Sequence, residues 1–458
     1  MIGRKRFICL LTVIAICIPA LQLQAGQVAA GFHDDTLQGL FSEALANNQG
    51  LLALEHRIEA LKEEVQAAGA WEDPRLGVGL LNLPTNTFRF DREPMTQKQV
   101  TLAQRIPWFG KLDLKTRRAA LNAVRLEAVL SDKQQAIMRN LANAYYELGF
   151  VAESQAINAR LIDLLDRIIR IAESRYASGK GIQQDVLQAH VEQSRLMDQS
   201  NTLKRRQRVL NDRINALANR SVSVSVTPPV LKEIPGFAFA SEDLQQAATG
   251  HNTELLIHKA EIELAEVEVE LFRKAYYPDP DLRLAYGQRD DDAAGNDRAD
   301  FFSASVVFSL PVWAKRKQAP RLEAALKRRD AARLSYQDLA AQLPHRIDAL
   351  TAELEQIDEN YNLYQDAILV QAVQWAESAM SAYEVGKADF GTMMAPQMRV
   401  LYLERQAKQY LYQFYQKQAD LDATIGGRLG RLQTPNTAVA QVSLPIAQRS
   451  TPKIKEEF

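Results

Sequence analysis

The chain has 458 residues, with 55 basic side chains against 56 acidic ones. That balance speaks against a nucleic-acid partner, which shows as a basic stripe or a strongly basic domain. Glycine and proline are sparse, and alanine, leucine, glutamine, glutamate and arginine fill long stretches, a composition that favours long helices. There is no glycine-rich phosphate loop, no HExxH and no GxSxG, so neither an enzyme nor a cofactor is expected.

Residues 1–30 read as a secretory leader. Arg4, Lys5 and Arg6 precede a short apolar run from Phe7 to Ile18, and small residues offer cleavage points after Ala25 or Ala30. The run is shorter than the ~20 apolar residues that span a bilayer. Cleavage would leave 52 basic against 56 acidic side chains. It would also remove both cysteines, Cys9 and Cys17, and with them any disulfide or cysteine metal site. Each of these cysteines follows an isoleucine, whereas an acylated lipoprotein cysteine needs a small residue before it. No later run reaches 18 apolar residues, so the expected ways to reside in the envelope are as a soluble protein or as a β-barrel.

The rest is one plan written twice. Asn48-Gln-Gly-Leu-Leu52 returns 204 residues later as Asn252-Thr-Glu-Leu-Leu256, and Asp73-Pro-Arg-Leu76 returns after 206 as Asp279-Pro-Asp-Leu282. Ile106-Pro-Trp-Phe-Gly-Lys111 faces Leu310-Pro-Val-Trp-Ala-Lys315 at 204, and Tyr176-Ala-Ser-Gly-Lys180 faces Tyr383-Glu-Val-Gly-Lys387 at 207. Four anchors in one order at near-constant spacing define two structural repeats, residues 31–220 and 241–430. Residues 221–240, with Pro228, Pro229 and Pro235, read as an extended linker, with a candidate strand at Val222-Ser-Val-Ser-Val226. Residues 431–458 read as a flexible tail.

Within each repeat the order is a helix (35–70 and 241–275), a proline-led β-hairpin, a very long helix, a glycine turn and a returning helix. The strands alternate. Phe302, Ala304, Val306, Phe308 and Leu310 interleave with serines, Leu282, Leu284 and Tyr286 with Arg283, Ala285 and Gly287, and Val100, Leu102 and Ile106 with Thr101, Ala103 and Arg105. Aromatic residues stand at the strand ends: Phe88, Phe90, Trp108 and Phe109 in one repeat, Phe301, Phe302 and Trp313 in the other. This is the pattern of a membrane barrel with its aromatic girdles, and equally of a half-buried hairpin in a soluble domain.

Residues 112–178 contain no proline and one glycine, Gly149, which predicts a rod of roughly 100 Å. The counterpart over 315–384 carries Pro320 and Pro344 as expected kinks. Leu130, Ile137, Leu141, Ala144, Leu148 and Val151 follow a seven-residue repeat, as do Leu350, Leu354, Ile357, Tyr361, Tyr364, Ile368 and Trp375, which predicts coiled-coil seams. Four strands cannot close a barrel, so strands that cross a membrane would require several chains, and three would supply twelve.

This duplicated plan resembles the TolC-like outer-membrane efflux family over about residues 37–425. The resemblance rests on the Asp73-Pro74 and Asp279-Pro280 openings, on Gln104-Arg-Ile-Pro-Trp-Phe-Gly-Lys111, and on Arg175-Tyr-Ala-Ser-Gly-Lys-Gly-Ile-Gln-Gln-Asp-Val-Leu-Gln-Ala189. It implies a mostly α fold with a small β-hairpin portion: a duplicated long-helix coiled-coil barrel continuous with a trimeric twelve-stranded barrel in the outer membrane. The helices would lie in the periplasm. It also implies a homotrimer, outer-membrane lipid, a periplasmic adaptor (membrane fusion) protein and an inner-membrane pump of the resistance-nodulation-division type as partners. The Pro-Trp-Phe-Gly-Lys segment looks most like the heavy-metal efflux branch.

In that family the tips of the helices close the periplasmic entrance. The corresponding candidates here are Tyr176, Gly179, Lys180 and Asp185 in the first tip, and Tyr383, Gly386, Lys387 and Asp389 in the second. Asp185 matches a tip aspartate of the family. The second tip departs, with Thr392-Met-Met-Ala395 where the family has Asp-Val-Leu-Asp, and Asp389 lies in a different register. Opposite charges near the two glycine turns lead us to expect Asp185 and Lys387 close together, within or between chains.

Other candidates have plainer readings. His251 and His258 are two histidines on one helix, short of the three or four ligands of a metal site. Met393, Met394 and Met398 offer soft sulfur to copper or silver, but also fill irregular gaps. Asp290, Asp291, Asp292, Asp297 and Asp300 form an acidic loop between strands, solvated by default. The competing functional reading is a structural periplasmic coiled-coil or adaptor protein without a pore. It is disfavoured because adaptors carry one hairpin and β-rich modules absent here.

Overall fold

The computed structural model describes residues 34–222, 224–236, 239–427 and 429. The expected leader over 1–30 and tail over 431–458 lie outside them. The first repeat contains α1 (Asp35–Asn47), α2 (Gln49–Gly69), β1 (Arg75–Leu81), β2 (Gln97–Arg105), α3 (Lys111–Ala177) and α4 (Gln183–Leu217). The second contains α5 (Ser241–His251), α6 (Thr253–Lys274), β3 (Pro280–Gln288), β4 (Phe301–Phe308), α7 (Gln318–Leu363), a π turn (Tyr364–Ile368), α8 (Leu369–Glu384) and α9 (Phe390–Thr424).

Each expected leading helix is in fact two. Asn48 and Asn252 are extended and cap the helix that follows, Asn48 through Gly50 and Leu51 N–H groups and Asn252 through that of Leu255. An asparagine that competes with the backbone for hydrogen bonds ends one helix and starts the next. Both amides also reach the end of their repeat's returning helix, Asn48 donating to Leu217 O and Asn252 to Thr424 O. The Asn-x-x-Leu-Leu anchor is therefore a hinge between helices, tied to the far end of the repeat.

The expected 112–178 rod is α3, 67 residues long, which is roughly 100 Å of helix. Its counterpart spans the same length but is broken by the π turn, and the prolines behave differently from expectation. Pro320 sits in the first turn of α7, where a missing N–H costs nothing. Pro344 lies inside α7, and the irregularity falls twenty residues later, at Tyr364. One i→i+5 turn shifts every later side chain around the axis. The buried stripe Leu354, Ile357, Tyr361 accordingly continues as Ala372, Ala376, Ala379 and Tyr383, not through Trp375, which is 54% exposed.

The linker is extended, and its described residues form no strand at the Val222-Ser-Val-Ser-Val226 segment. It is strapped to the helices by tyrosine hydroxyls. Tyr412 donates to Pro229 O at 2.8 Å, Tyr415 to Glu233 O at 3.1 Å and Tyr361 to Lys232 O at 3.3 Å. Gly149 is where Pro229 crosses α3: a β-carbon there would stand 2.7 Å from the proline ring and closer still to Tyr412. Around this crossing lies one apolar cluster, with Leu37, Phe41, Leu141, Tyr145, Leu148 and Ile214. A second runs toward the tips and a third lies under α5, α7 and the end of α9.

Candidate functional site

The four strands form one antiparallel sheet in the order β1-β2-β3-β4, so β1 and β4 are open edges among the described residues. Registers Val78↔Val100, Val100↔Tyr286 and Leu284↔Ala304 put equivalent residues in rows across the sheet. One face carries Leu76, Val78, Leu80, Val100, Leu102, Leu282, Leu284, Tyr286, Phe302, Val306 and Phe308. The other carries Gly77, Gly79, Gln99, Thr101, Ala103, Arg105, Arg283, Ser303 and Ser305. The apolar face is bare: Val78 is 81% exposed and Phe302 72%. An exposed apolar sheet of this extent needs a cover, and an alternating strand whose outward side chains are apolar is what lipid requires. On the small, polar face, Arg75 pairs with Asp281 at 2.7 Å across β2.

The two ends of the sheet carry the expected aromatic residues. Trp108, Phe109 and Trp313 lie at the end from which the long helices leave, while Phe88, Phe90, Phe301 and Phe302 lie at the opposite end. Phe88, Phe109, Phe302 and Trp313 are exposed, as a girdle needs. Trp108, Phe90 and Phe301 are half-buried in local contacts, Trp108 stacked on Tyr277 at 5.4 Å, Phe90 under Lys98 and Phe301 under Arg289. The Asp-Pro and Pro-Trp-Phe-Gly-Lys motifs meet here. Asp279 Oδ1 accepts from Trp108 N–H and from Lys111 Nζ, both at 2.7 Å. Burial alone would raise the Asp279 pKa, but the Lys111 and Trp108 hydrogen bonds and the charges of Lys111 and Arg105 outweigh it and hold the carboxyl below the ordinary value.

At the other end of the helices the two tips come together. Gly179 and Gly386 adopt φ +71° and +75°, and each closes its helix with the same paired bonds, Lys180 N to Arg175 O and Lys387 N to Ala382 O, both 2.8 Å. Tyr383 is buried, edge-on to Phe390 at 6.3 Å and beneath the Arg175 guanidinium at 4.5 Å, so the first tip lies on the second. Tyr176, its counterpart, is exposed. Asp389 caps α9, accepting from Thr392 N at 2.7 Å, and that bond holds its carboxyl low. Asp185 is pushed up by partial burial and by the charge of Asp389, with Arg175 pulling the other way. The groups acting on Asp185 within the chain are thus Asp389 and Arg175, and not the expected Lys387, which is exposed like Lys180. Thr392-Met-Met-Ala395 lacks the aspartates of the family pattern, but the chain places another acid, Asp389, beside Asp185. Sequence reasoning passed over Arg175 and Phe390. A basic residue in the last turn of a helix reads as a dipole partner, and only the crossing of the tips places it on a tyrosine.

The remaining candidates take their plainer readings. Met393, Met394 and Met398 are buried in the tip cluster. His258 faces Glu261 at 3.0 Å. In the acidic loop, Asp290 holds Lys98, Asp292 accepts from Ala294 and Asn296 N–H groups, and Asp300 accepts from Arg289 N–H and the Tyr286 hydroxyl. Among the described residues no three histidine, aspartate or glutamate side chains cluster as metal ligands, and no helix is long and apolar enough to cross a membrane.

A duplicated bundle of rods bearing a small sheet with one bare apolar face is the arrangement expected of an outer-membrane channel protein. Residues 40–220, the first repeat, match the model of the outer membrane efflux protein family. The family matched over that stretch is one of outer-membrane efflux proteins, which speaks for a channel over the non-porous coiled-coil or adaptor reading. Solved structures share the fold. VceC from Vibrio cholerae has a TM-score of 0.71 at 18% identity, over 85% of this chain and 96% of that one. The CmeC channel of Campylobacter jejuni has 0.73 at 14%, over 87% and 88%. CusC, described by its conformational changes on transmembrane channel formation, has 0.72 at 13%, over 88% and 97%. No curated protein sequence matches the chain.

Proposed function

We propose that three copies of this chain form the exit duct of a tripartite efflux system, a conduit and not an enzyme. The observation that carries the reading is the sheet: four strands with two open edges and a bare apolar face, continuous with helices of roughly 100 Å. An unpaired edge in lipid leaves backbone groups unsatisfied at several kcal/mol each, and pairing β4 of one copy with β1 of the next removes every edge. Three copies then give twelve strands. The repeats 31–220 and 241–430 act as six similar staves around one axis, joined within each chain by the strapped linker. The helices stand in the periplasm, where the tips dock a periplasmic adaptor protein and receive small solutes, heavy-metal ions among them, from an inner-membrane pump of the resistance-nodulation-division type.

Arg175, Asp185, Tyr383 and Asp389 form the closure, with Tyr176, Gly179, Lys180, Gly386 and Lys387 shaping its rim. The intrachain meeting of the two tips, with Arg175 over Tyr383 and an apolar cluster that joins Ala172 and Val186 to Phe390 and Met393, supports this, because opening the entrance must separate them. Detergent-extracted protein should have the mass of three chains and insert into planar bilayers as a low-conductance pore. Asp185→Ala should raise single-channel conductance while leaving trimer mass unchanged. A stable monomer, or recovery of the protein in the soluble periplasmic fraction, would refute the duct. Equal conductance of variant and parent across salt concentrations would refute the gate alone.

A further inference from the structure

A pocket of about 350 Å³ lies where the sheet meets the long helices. Four cations line it: Arg105 at the end of β2, Lys111 at the start of α3, and Lys317 and Arg321 at the start of α7. Asp279 is the one carboxylate among the lining residues. Two of the cations are already engaged. Lys111 donates to Asp279 Oδ1 and to Tyr277 O, each at 2.7 Å, and Arg105 stands 3.6 Å from Glu72. Lys317 and Arg321 have no carboxylate within 4.0 Å among the described residues. Four positive side chains against Asp279 and Glu72 leave a surplus of two positive charges at one pocket. Arg105 belongs to the small, polar face of the sheet, opposite the bare apolar one, so a ligand here stands on the side away from lipid.

The folding of α7 does not account for Lys317 and Arg321. A helix start favours acids, because its free N–H groups carry partial positive charge. The first repeat conforms, with Asp113 in the first turn of α3. The offset of 204 that aligns Lys111 with Lys315 aligns Asp113 with Lys317, which is the N-cap of α7, and the first turn of α7 holds no acid. Arg321 follows four residues later on the same side of the helix. Two cations that oppose their own helix and line one pocket are explained by an anion bound there. Gln318 lines the pocket too. Its amide oxygen is buried without a hydrogen-bond partner, so turning the side chain toward a ligand gives up no bond at that atom. We propose that the pocket binds a phosphate group, borne by solutes that pass along the duct. Arg321 offers a planar fork to two oxygens and Lys317 a point charge, while Arg105 and Lys111, each beside its acid, add to the positive field. Chloride or a single carboxylate would offset half of the surplus, whereas a phosphate monoester carries about 1.5 to 2 negative charges at pH 7.

The pocket lies within one chain, but the passage of its ligand rests on the three-copy duct, and the test separates the two. Inorganic phosphate is titrated calorimetrically into the detergent-extracted full chain at low ionic strength, with native mass measured in parallel. The parent should bind it. The double variant Lys317→Gln, Arg321→Gln should bind at least about tenfold more weakly, the worth of one hydrogen bond to a charged group. Lys204→Gln, at an exposed lysine of α4 outside the pocket, should bind as the parent does. Both pocket substitutions remove cations from the positive end of α7 at exposed side chains, so a thermal midpoint no lower than the parent's shows that the loss is not unfolding. A trimeric parent that binds no phosphate, or equal binding by parent and double variant, would overturn the pocket and leave the duct standing. A monomeric parent would refute the duct and with it the passage of the ligand, while the titration still decides the pocket. Lipid phosphorus should be equal in parent and double-variant preparations; an excess in the parent that added phosphate does not displace would put a lipid headgroup in the pocket and overturn the solute.

Discussion

At the scale of single residues, glycine shows how one letter carries opposite meanings. Gly149 is pressed by Pro229 and Tyr412, whereas a β-carbon at Gly39 in α1 would meet nothing within 4 Å. Gly149→Ala should therefore cost ~1–3 kcal/mol through overpacking, and Gly39→Ala should stabilise by ~0.5–1 kcal/mol through helix propensity. Chemical denaturation of the two variants checks the pair, and shifts of the same sign would contradict it. Asp422 near the end of α9 is the other telling residue. Burial pushes its carboxyl up to about 6 against the ordinary 3.8, only partly offset by the N–H of Leu429 at 2.8 Å. A raised acid means that the folded state resists ionisation: its contribution is whole below pH 3.8 and is lost as the pH climbs through about 6. Asp422→Asn should remove that slope, leaving a thermal midpoint that falls less than the parent's between pH 4 and pH 7. Parallel curves would show that Asp422 ionises as freely in the folded protein as in the unfolded chain. Neither role is legible in the sequence, since Gly149 is crowded by Pro229 and Tyr412 from far along the chain, and the burial of Asp422 exists only in the folded state.

At the scale of elements, the strands are where periodicity spoke clearly and ambiguously at once. Alternation fixes which residues share a face, and the registers bear that out row by row. Whether a protein core covers the apolar face is a tertiary matter, and its exposure shows that the core of this chain does not. A charge on that face must be paid for in the bilayer: Val78→Arg, at the middle of β1, should cost ~2–4 kcal/mol of stability in the membrane. Thr101→Arg on the small, polar face should cost far less. Equal losses, read by denaturant titration in vesicles, would mean that the face does not meet lipid. The rods teach a different lesson. A proline inside a helix draws the eye, but Pro320 is harmless in a first turn, while the π turn at Tyr364–Ile368 carries no glycine or proline to announce it. The heptad from Leu350 consequently holds as far as Tyr361 and fails at Trp375.

At the scale of the whole molecule, the repeat organises everything. Both returning helices have 35 residues, and each rod has 67 once the π turn is included. Junctions hold their chemistry too: Asn219 and Gly426, 207 residues apart, both turn through positive φ after the returning helix. Assembly should therefore be sensitive where the repeats meet through a single charged group. Asp279→Asn removes the acceptor charge for Lys111 at the sheet–helix junction, and if the proposed trimer forms, that of this variant should dissociate at lower temperature on semi-native gels. In the parent the Asp279 contribution is present above the ordinary aspartate pKa and is lost as the pH falls through its depressed value, so the gap between variant and parent should close in acid. A gap independent of pH would assign the effect to packing alone.

Amino-acid order by itself determined the long rods, the paired strands and their duplication, because helix length, strand alternation and glycine turns are local consequences of side-chain period and backbone freedom. It also determined that the two tips end at equal reach, since equal rods follow from equal spacing. Tertiary structure alone decided what faces what. Asp389 stands beside Asp185 and Arg175 lies on Tyr383 because two helix ends cross, and Trp375 is bare because a π turn rotated it out of its own seam. Such pairings depend on the relative rotation of rods joined through a distant sheet and linker, a quantity that no local pattern of residues encodes.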